Sequence, residues 1–488
     1  MIFEQFYLES LGHASYLVGD ERTGKALVLD PRRDVEIYLE SARMHGLRIA
    51  YAIDTHGHSD YVSGLSELRL RQDVEVLGLA GADFGYDFRG VTDGEVLEMG
   101  EVAFEVLHTP GHTPEHVSLL VYDRSLPQGD PGLSVRTEPG KDPALLLSGG
   151  TLLVGDLGRP DLLGDPEEVR EAARSLCHTI QERILWRLGD HVAVYPTHVR
   201  GSLCGGTIGT RLSTTVGYER LTNPLLCNIG SSQEFVEACV RLDALPAVPP
   251  YWRRMRALNL AGPPAVDLWE PAALVPSEFR RHRDAGALVL DARSPEAFAS
   301  GHIPGALNVG IGSSFSTWAG TVLPEGARVL LVLDGPGQLW EVAWQLLRVG
   351  YDVPEGWLSG GMAAWRAAAG EVDTLPQIDV HELAGRVDAV AVNVLDVRQP
   401  AEWAAGHIDG ATFITGAQLP GRIDEVPNHK PVAVICATGY RSSVAASLLA
   451  PVRPGRVLNV VGGMSAWTTS GYPTVSELHH TSALGGAR

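Results

Sequence analysis

Residues Val434 to Ala445 read VICATGYRSSVA, and this stretch decides the fold of the C-terminal half of the chain. The apolar run Val432–Ile435 predicts a buried strand that ends at Cys436, and the Ala-rich sequence after Tyr440 predicts a helix. A cysteine between a strand end and a helix N-terminus lies where backbone N–H groups and the helix dipole favour an anion. The stretch therefore predicts a site that stabilises a thiolate, or a sulfur chain attached to it.

The residues around Cys436 favour a chemical role for this cysteine. A lone cysteine is more often an ordinary buried side chain, but the strand–loop–helix context, the glycine and Arg441 reverse that preference. Arg441 is predicted to close the loop with fixed cationic donors. The stretch resembles the active-site loop of rhodanese sulfurtransferases, in which the cysteine carries a persulfide. The resemblance implies that Cys436 and Arg441 are catalytic and that the residues between them bind substrate: Ala437, Thr438, Gly439 and Tyr440.

The C-terminal half of the chain repeats itself. The segment Leu290–Glu296 returns as Leu395–Glu402, and Gly360–Trp365 returns as Gly462–Trp467. Each copy spans about a hundred residues and alternates apolar strands with helices, which predicts two α/β domains with parallel sheets. Both copies resemble rhodanese domains, because the Asp-x-Arg, Gly-His-Ile and Gly-Gly-Met elements are specific to that family.

The two copies differ at the position of the sulfur carrier. Aligned by the repeated elements, Cys436 of the second copy corresponds to Asp334 of the first, and Gly-Pro-Gly follows Asp334. Aspartate cannot carry sulfur, and Pro336 removes a backbone donor from the loop. We therefore expect an inactive rhodanese-like domain over 271–372, which serves as a spacer or docking domain, and an active rhodanese domain over 373–476.

Histidines follow several predicted strands in the N-terminal half, where strand-like runs alternate with turns and a helical stretch and predict a layered α/β fold. His56 and His58 come directly after an apolar run, with an acidic residue two positions further on, and His112 and His198 follow later strands. Imidazole and carboxylate ligands suit zinc or iron, although each histidine taken alone is more often structural. Together the clusters predict a metal-binding fold.

This histidine pattern resembles the metallo-β-lactamase superfamily, in particular its persulfide dioxygenase and glyoxalase II branches. The resemblance implies an αββα sandwich over 1–262, with a Pro-rich connector over 241–270 that wraps against it. The metal ligands that can be named are His56 and His112, with His58 as the third.

Two positions depart from the superfamily pattern. Tyr61 stands where a histidine ligand of a second metal is usual, which implies a single metal. Gly150 stands where the family has its metal aspartate, and Asp156 in the next segment is not expected to replace it. The resemblance implies one iron per chain, held less strongly than in a complete site, and a three-histidine set also accommodates zinc.

Two further segments belong to the predicted N-terminal site. Cys204 lies in Gly201–Gly206, which resembles the Gly-Ser-x-Cys-Gly loop of dioxygenase–rhodanese fusions and implies a catalytic cysteine that holds or hands over sulfur. The alternative is a small residue in a tight turn. Arg159, in a segment that these relatives also have, is expected to bind substrate. Asp123–Pro143 is rich in Pro, Gly and charge and predicts an inserted surface loop, with a lid as the alternative.

Composition limits the class of protein and its partners. A chain of 488 residues exceeds one core, and about three domains are expected. The formal charge of −20 argues against a nucleic-acid partner, and no apolar run is long enough to predict a membrane span. Five widely spread cysteines do not suggest a disulfide framework, and the N-terminus lacks the pattern of a secretory signal, so a cytoplasmic location is expected.

The domain order resembles that of bacterial persulfide dioxygenase–rhodanese fusion proteins. The resemblance implies that iron and oxygen oxidise a low-molecular-weight thiol persulfide to sulfite, and that the rhodanese cysteine transfers sulfur to sulfite to give thiosulfate. Two alternatives stay open: a glyoxalase II-like thioester hydrolase with two metals, and a metal-poor scaffold that serves only the active rhodanese. The thiol carrier and a homo-oligomeric state are left open as well.

Overall fold

The computed structural model describes residues 1–125, 142–162, 164–227, 231–240, 245–266 and 269–476, which form two compact units. The first unit comprises Met1–Leu245 and Trp252–Val266, and the second comprises Pro246–Tyr251 and the described chain from residue 269. Most of the predicted loop Asp123–Pro143 lies outside the described residues, so its interpretation stays a prediction. Among the described residues, we find no helix with the length and apolar content that a bilayer crossing requires.

Two sheets build the first unit. The strands of one sheet lie in chain order, and those nearest the N-terminus are antiparallel: β1 Ile2–Leu8, β2 His13–Asp20, β3 Lys25–Leu29, β4 Arg48–Ile53, β5 Glu75–Leu79 and β6 Arg89–Val91. The strands of the other sheet follow the order β12-β11-β10-β9-β8-β7: β7 Val96–Met99, β8 Val102–His108, β9 Val117–Asp123, β10 Leu145–Gly149, β11 Ala193–Pro196 and β12 Thr214–Thr215. The helices are α1 Glu36–Met44, α2 Leu65–Arg71, α3 Pro166–His178, α4 Val216–Thr222, α5 Pro224–Cys227, α6 Ser232–Cys239 and α7 Trp252–Ala261.

The apolar faces of these two sheets pack against each other. Tyr16, Leu27 and Ile53 of the first sheet share one buried cluster with Phe104 and Leu119 of the second. The opposite face of the first sheet packs under α1 and α2, and that of the second packs under α3. Because side chains alternate between the faces of a strand, each sheet has two buried faces, and the αββα sandwich is confirmed.

The second unit contains two similar sheets whose strand pairs are all parallel. The first repeat has the strand order β13-β17-β16-β14-β15: β13 Ala272–Leu274, α8 Pro276–Asp284, β14 Leu288–Asp291, α9 Pro295–Ser300, β15 Leu307–Asn308, α10 Phe315–Val322, β16 Val329–Val332, α11 Leu339–Leu347, β17 Gly356–Leu358 and α12 Gly361–Ala367. The second repeat has the order β18-β22-β21-β19-β20: β18 Gln377–Ile378, α13 Val380–Asp388, β19 Asn393–Asp396, α14 Pro400–Ala405, β20 Thr412–Phe413, β21 Val432–Ile435, α15 Tyr440–Leu449, β22 Val457–Val460 and α16 Gly463–Thr469. The two predicted α/β domains with parallel sheets are confirmed.

The repeated Asp-x-Arg element holds each of these sheets to the following helix. In the second repeat, Arg398 donates to both carboxylate oxygens of Asp396 and to the carbonyl of Gly406, at 2.7 to 3.0 Å. Arg293 of the first repeat makes the same contacts with Asp291 and with the carbonyl of Gly301. These charged pairs are buried in both copies, so this element has a structural role that the two repeats share.

Candidate functional site

Cys436 directly follows β21, and its thiol is fully buried. The N–H of Gly439 donates to its Sγ at 3.1 Å, and the Oγ of Ser442 lies 3.5 Å from the same sulfur. The carbonyl oxygens of Cys436 and Ala437 accept from Met464 and Ser465 at the start of α16, at 2.7 and 3.0 Å. The loop is therefore fixed on one side by α16, with a backbone donor aimed at the sulfur.

Gly463 explains why the Gly-Gly-Met element accompanies this loop. Its φ of +54° lies in the left-handed region, and a β-carbon there would overlap the carbonyl oxygen of Cys436. Glycine is the residue that tolerates both conditions.

The flanking residues predicted to be functional have partners of their own. The guanidinium of Arg441 pairs with both carboxylate oxygens of Glu402 on α14, at 2.7 Å each. Burial opposes ionisation of Glu402, but these hydrogen bonds lower its pKa. The Tyr440 hydroxyl donates to the carbonyl of Gly310 in the first repeat at 2.8 Å. Thr438 is exposed, so the open approach to the loop lies on its side.

The sheet register of the first repeat differs from the alignment of the repeated elements. Asp291 pairs with Val332, as Asp396 pairs with Ile435, so the residue in the place of Cys436 is Leu333. Asp334 is the next residue, and it is exposed. The alignment with Asp334 is therefore wrong by one residue, because the loop before α11 is longer than the loop before α15. A leucine cannot carry sulfur either.

Three buried histidines converge where strands of the first unit end. His56 follows β4, His112 follows β8, and His198 follows β11. One ligand atom from each lies within 4.8 Å of the other two, and the two Nε2 atoms of His56 and His198 are 3.3 Å apart. The structure thus places His56 and His112 together, as expected, and adds His198 to them.

His58 faces a different partner. Its Nε2 lies 3.0 Å from Oδ1 of Asp30, which also accepts from the backbone N–H of Thr55 at 2.6 Å. Burial disfavours protonation of His58, but Asp30 raises its pKa above the ordinary value. In the part of the chain that the structure describes, His58 belongs to one donor group with Asp60 and His198 and to another with Asp30 and Asp54, and not to the group of His56 and His112.

The position of the family's metal carboxylate has no side chain. The N–H of Gly150 donates to Nε2 of His116 at 2.8 Å, and a β-carbon on Gly150 would lie 2.5 Å from Cδ2 of His112. Asp156 accepts from the N–H groups of Leu157 and Thr207 at 2.8 and 2.6 Å and does not join the histidines, as expected. The set of two histidines and one carboxylate that suits iron is therefore not formed at Gly150.

Cys204 and Arg159 meet beside the histidines. Cys204 is buried, and burial raises the pKa of its thiol, which the nearby His198 partly offsets. The N–H of Arg159 donates to the carbonyl of Cys204 at 3.1 Å, and its guanidinium pairs with Asp161 at 2.7 Å. Its guanidinium also donates to the carbonyl of Leu203 at 3.0 Å, so both the backbone and the side chain of Arg159 bind the Cys204 loop.

Two residues of this site carried no signal in the sequence. Asp30 lies in no motif, yet its carboxylate accepts from Thr55, His58 and Thr197. His116 accepts a hydrogen bond from the N–H of Gly150, and its closeness to His112 in the sequence is the only indication that it belongs to the site. Their roles arise from contacts between distant segments.

Known families match both halves of the chain. The rhodanese-like domain family matches residues 275–368 and 379–470, and the metallo-beta-lactamase superfamily matches residues 9–126. A sulfurtransferase of Allochromatium vinosum is 38% identical over 101 residues, which cover 20% of this chain and 94% of that protein. The chain belongs to the rhodanese-like family. Its two rhodanese repeats follow a metallo-beta-lactamase superfamily domain, as the sequence predicts, and the chain is an enzyme of sulfur transfer.

Relatives of the lactamase domain also match. The mitochondrial persulfide dioxygenase ETHE1 of Homo sapiens is 28% identical over 268 residues, 53% of this chain and 82% of that protein. The crystal structure of a metallo-beta-lactamase from Staphylococcus aureus subsp. aureus COL has a TM-score of 0.64 and 28% identity, and the match covers 73% of this chain and 99% of that one. A metal is therefore implied for the lactamase domain, and sulfur compounds are implied as substrates.

Proposed function

We propose that Cys436 carries sulfane sulfur from a low-molecular-weight persulfide to an acceptor such as sulfite. The observation that carries this proposal is the Cys436 loop, in which the Gly439 N–H donates to Sγ at 3.1 Å and α15 begins one residue later. Backbone donors and the helix dipole stabilise a thiolate and the terminal charge of a persulfide. We also propose three domains, a metallo-β-lactamase-like domain over 1–262, an inactive rhodanese-like domain over 271–372 and an active rhodanese domain over 373–476.

The proposed transfer has two steps. The Cys436 thiolate attacks the outer sulfur of the donor persulfide, so that a new S–S bond forms on Cys436, the donor's S–S bond breaks, and the donor thiol leaves. Sulfite then attacks the outer sulfur, which gives thiosulfate and returns the thiolate. The Gly439 N–H and the Ser442 hydroxyl hold the inner sulfur during both steps.

The N-terminal domain is proposed to receive the persulfide. Oxidation of a persulfide to sulfite is the activity that the fusion resemblance implies, and a bound iron would supply oxygen activation. Gly150, however, leaves the usual set of iron ligands incomplete. Thioester hydrolysis needs a second metal, and Tyr61 stands where a histidine ligand of that metal is usual; its hydroxyl donates to the carbonyl of Asp30 at 3.2 Å.

Replacement of the carrier cysteine tests the transfer. Cys436→Ser should abolish thiosulfate:cyanide sulfurtransferase activity and the sulfur adduct seen by intact mass after incubation with a persulfide. Cys227→Ser is the matched control, because Cys227 is a free cysteine in an exposed position. Substantial turnover by Cys436→Ser would refute the assignment.

A further inference from the structure

We propose that His56, His112 and His198 bind one divalent metal through three imidazole nitrogens, without a carboxylate, and that this site prefers zinc to iron. The proposal replaces His58 by His198 in the predicted ligand set. It is independent of sulfur transfer on Cys436, which is assayed separately. The polar partner on the far side of each ring determines which nitrogen has a free lone pair.

The hydroxyl behind His56 determines its tautomer. Thr55 Oγ1 lies 3.0 Å from Oδ2 of Asp30 and 2.8 Å from Nδ1 of His56. A hydroxyl has one proton, and a carboxylate can only accept, so the Thr55 proton goes to Asp30. Thr55 then accepts from Nδ1–H of His56. The lone pair of His56 is on Nε2, the atom that faces His198.

A backbone carbonyl determines the tautomer of His112. Its Nδ1 lies 2.9 Å from the carbonyl oxygen of Arg159, which has no proton to give. Nδ1 is therefore the donor, and the lone pair is on Nε2. A β-carbon on Gly150 would be 3.0 Å from this Nε2, so the nitrogen points toward the position where the family's carboxylate begins.

A carboxylate stands behind His198. Its Nδ1 lies 3.4 Å from Oδ2 of Asp60, a carboxylate that can only accept, so the proton of neutral His198 is on Nδ1 and the lone pair is on Nε2. That Nε2 is 3.3 Å from the Nε2 of His56, which also has a lone pair. Two lone pairs at this distance repel each other unless a proton or a metal cation lies between them. With one ligand atom of each histidine within 4.8 Å of the other two, the three nitrogens can share one metal cation.

The donor chemistry determines the preferred metal. Three neutral imidazoles with an open fourth position form a known catalytic zinc set, whereas two histidines and a carboxylate suit non-haem iron. Without an anionic ligand to favour iron, affinity follows the general order in which zinc exceeds Fe(II). The open fourth position suits a soft sulfur ligand, which agrees with a thiol or persulfide substrate.

Metal titration of the full-length chain tests the ligand set. Bound metal is first removed with a chelator. The chain is then titrated with Zn²⁺ or, under anaerobic conditions, with Fe²⁺, and bound metal is measured by elemental analysis. We expect one zinc per chain and tighter binding of zinc than of Fe²⁺. His198→Gln should weaken zinc binding at least about tenfold, while His58→Gln, whose amide can still donate to Asp30, should bind zinc as the unmodified chain does.

Two further measurements keep the test decisive if His198→Gln does not fold. Asp60→Asn should lower zinc affinity about 10- to 100-fold, because it removes the carboxylate that orients His198. The visible spectrum of the Co²⁺-loaded chain should also change in Asp60→Asn and not in His58→Gln. Loss of zinc in His58→Gln with retention in the His198 or Asp60 variants would overturn the ligand set, and preference for Fe²⁺ would overturn the metal class.

Discussion

Replacement of Arg256 should destabilise the loop of the first unit that contains His56 and His58 by about 3 kcal/mol. Arg256 on α7 donates to both carboxylate oxygens of Glu115 at 2.8 Å and to the carbonyl of Gly57 at 3.0 Å. The N–H of Gly57, between His56 and His58, donates to the same carboxylate at 2.8 Å. Arg256→Met leaves Glu115 charged and buried, with 9% of its side chain exposed.

The size of the effect follows from the pKa of Glu115. Burial opposes ionisation of this carboxyl, but the hydrogen bonds and charge of Arg256, with smaller help from the backbone N–H groups of Gly57 and Glu115, overcome it and lower the pKa from 4.5 to about 2. At about 1.4 kcal/mol for each pKa unit, this corresponds to about 3 kcal/mol. Removal of one partner of a buried pair costs about 3–5 kcal/mol in other proteins, which agrees.

The pH dependence has a definite sign. A carboxyl whose pKa is lower in the folded state contributes its stabilisation fully above its unfolded pKa, and the contribution is lost as pH falls through the folded value. The difference in stability between the unmodified chain and Arg256→Met should therefore be largest near neutral pH. It should shrink as the pH falls from about 5 toward 2.

Hydrogen exchange during a urea titration measures this difference locally. Peptides over Ile49–Tyr61 report the first unit, whereas a single global transition would mix the two units. Arg170→Met is the control, since its pair with Glu237 is exposed and should contribute under about 1 kcal/mol. The reasoning is refuted if Arg256→Met costs no more than Arg170→Met at neutral pH, or if the difference does not narrow in acid.

Three further predictions concern the rhodanese repeats. Asp334→Cys, added to Cys436→Ser, should not restore thiosulfate:cyanide turnover, because residue 334 is exposed and lies one position after Leu333, which stands in the place of Cys436. Turnover above that of Cys436→Ser alone would contradict this. Gly463→Ala should lower kcat at least tenfold, about 1.4 kcal/mol, whereas Gly471→Ala, also at positive φ but in open space, should not. Asn308→Ala removes the acceptor of the Ser443 hydroxyl at 2.7 Å, so it should lower the unfolding free energy of the second unit by about 1–3 kcal/mol and reduce kcat. Urea unfolding and sulfurtransferase assays measure the two effects. Unchanged stability and unchanged kcat would show that the first repeat does not support the α15 helix.

Much of the fold and the carrier site is determined locally by the sequence. The apolar run Val432–Ile435, the loop with Gly439 and the Ala-rich run after Tyr440 are consecutive, so strand, loop and helix follow from short-range patterns. The same local elements return in each copy of the repeat, and this predicts two α/β domains. The histidines that follow strand ends also predict a metal site at one edge of a sheet, because the ends of neighbouring strands lie close together there.

The tertiary structure alone decided which groups meet in each site. His58 is closer to His56 in sequence than His198 is, but Asp30 takes the Nε2 of His58, and Asp60 turns the Nε2 of His198 toward His56. The register of β16 determined that Leu333 stands where Cys436 stands in the second repeat. The physical reason is that side-chain direction and hydrogen-bond partner depend on contacts between segments far apart in the chain, which no local pattern records.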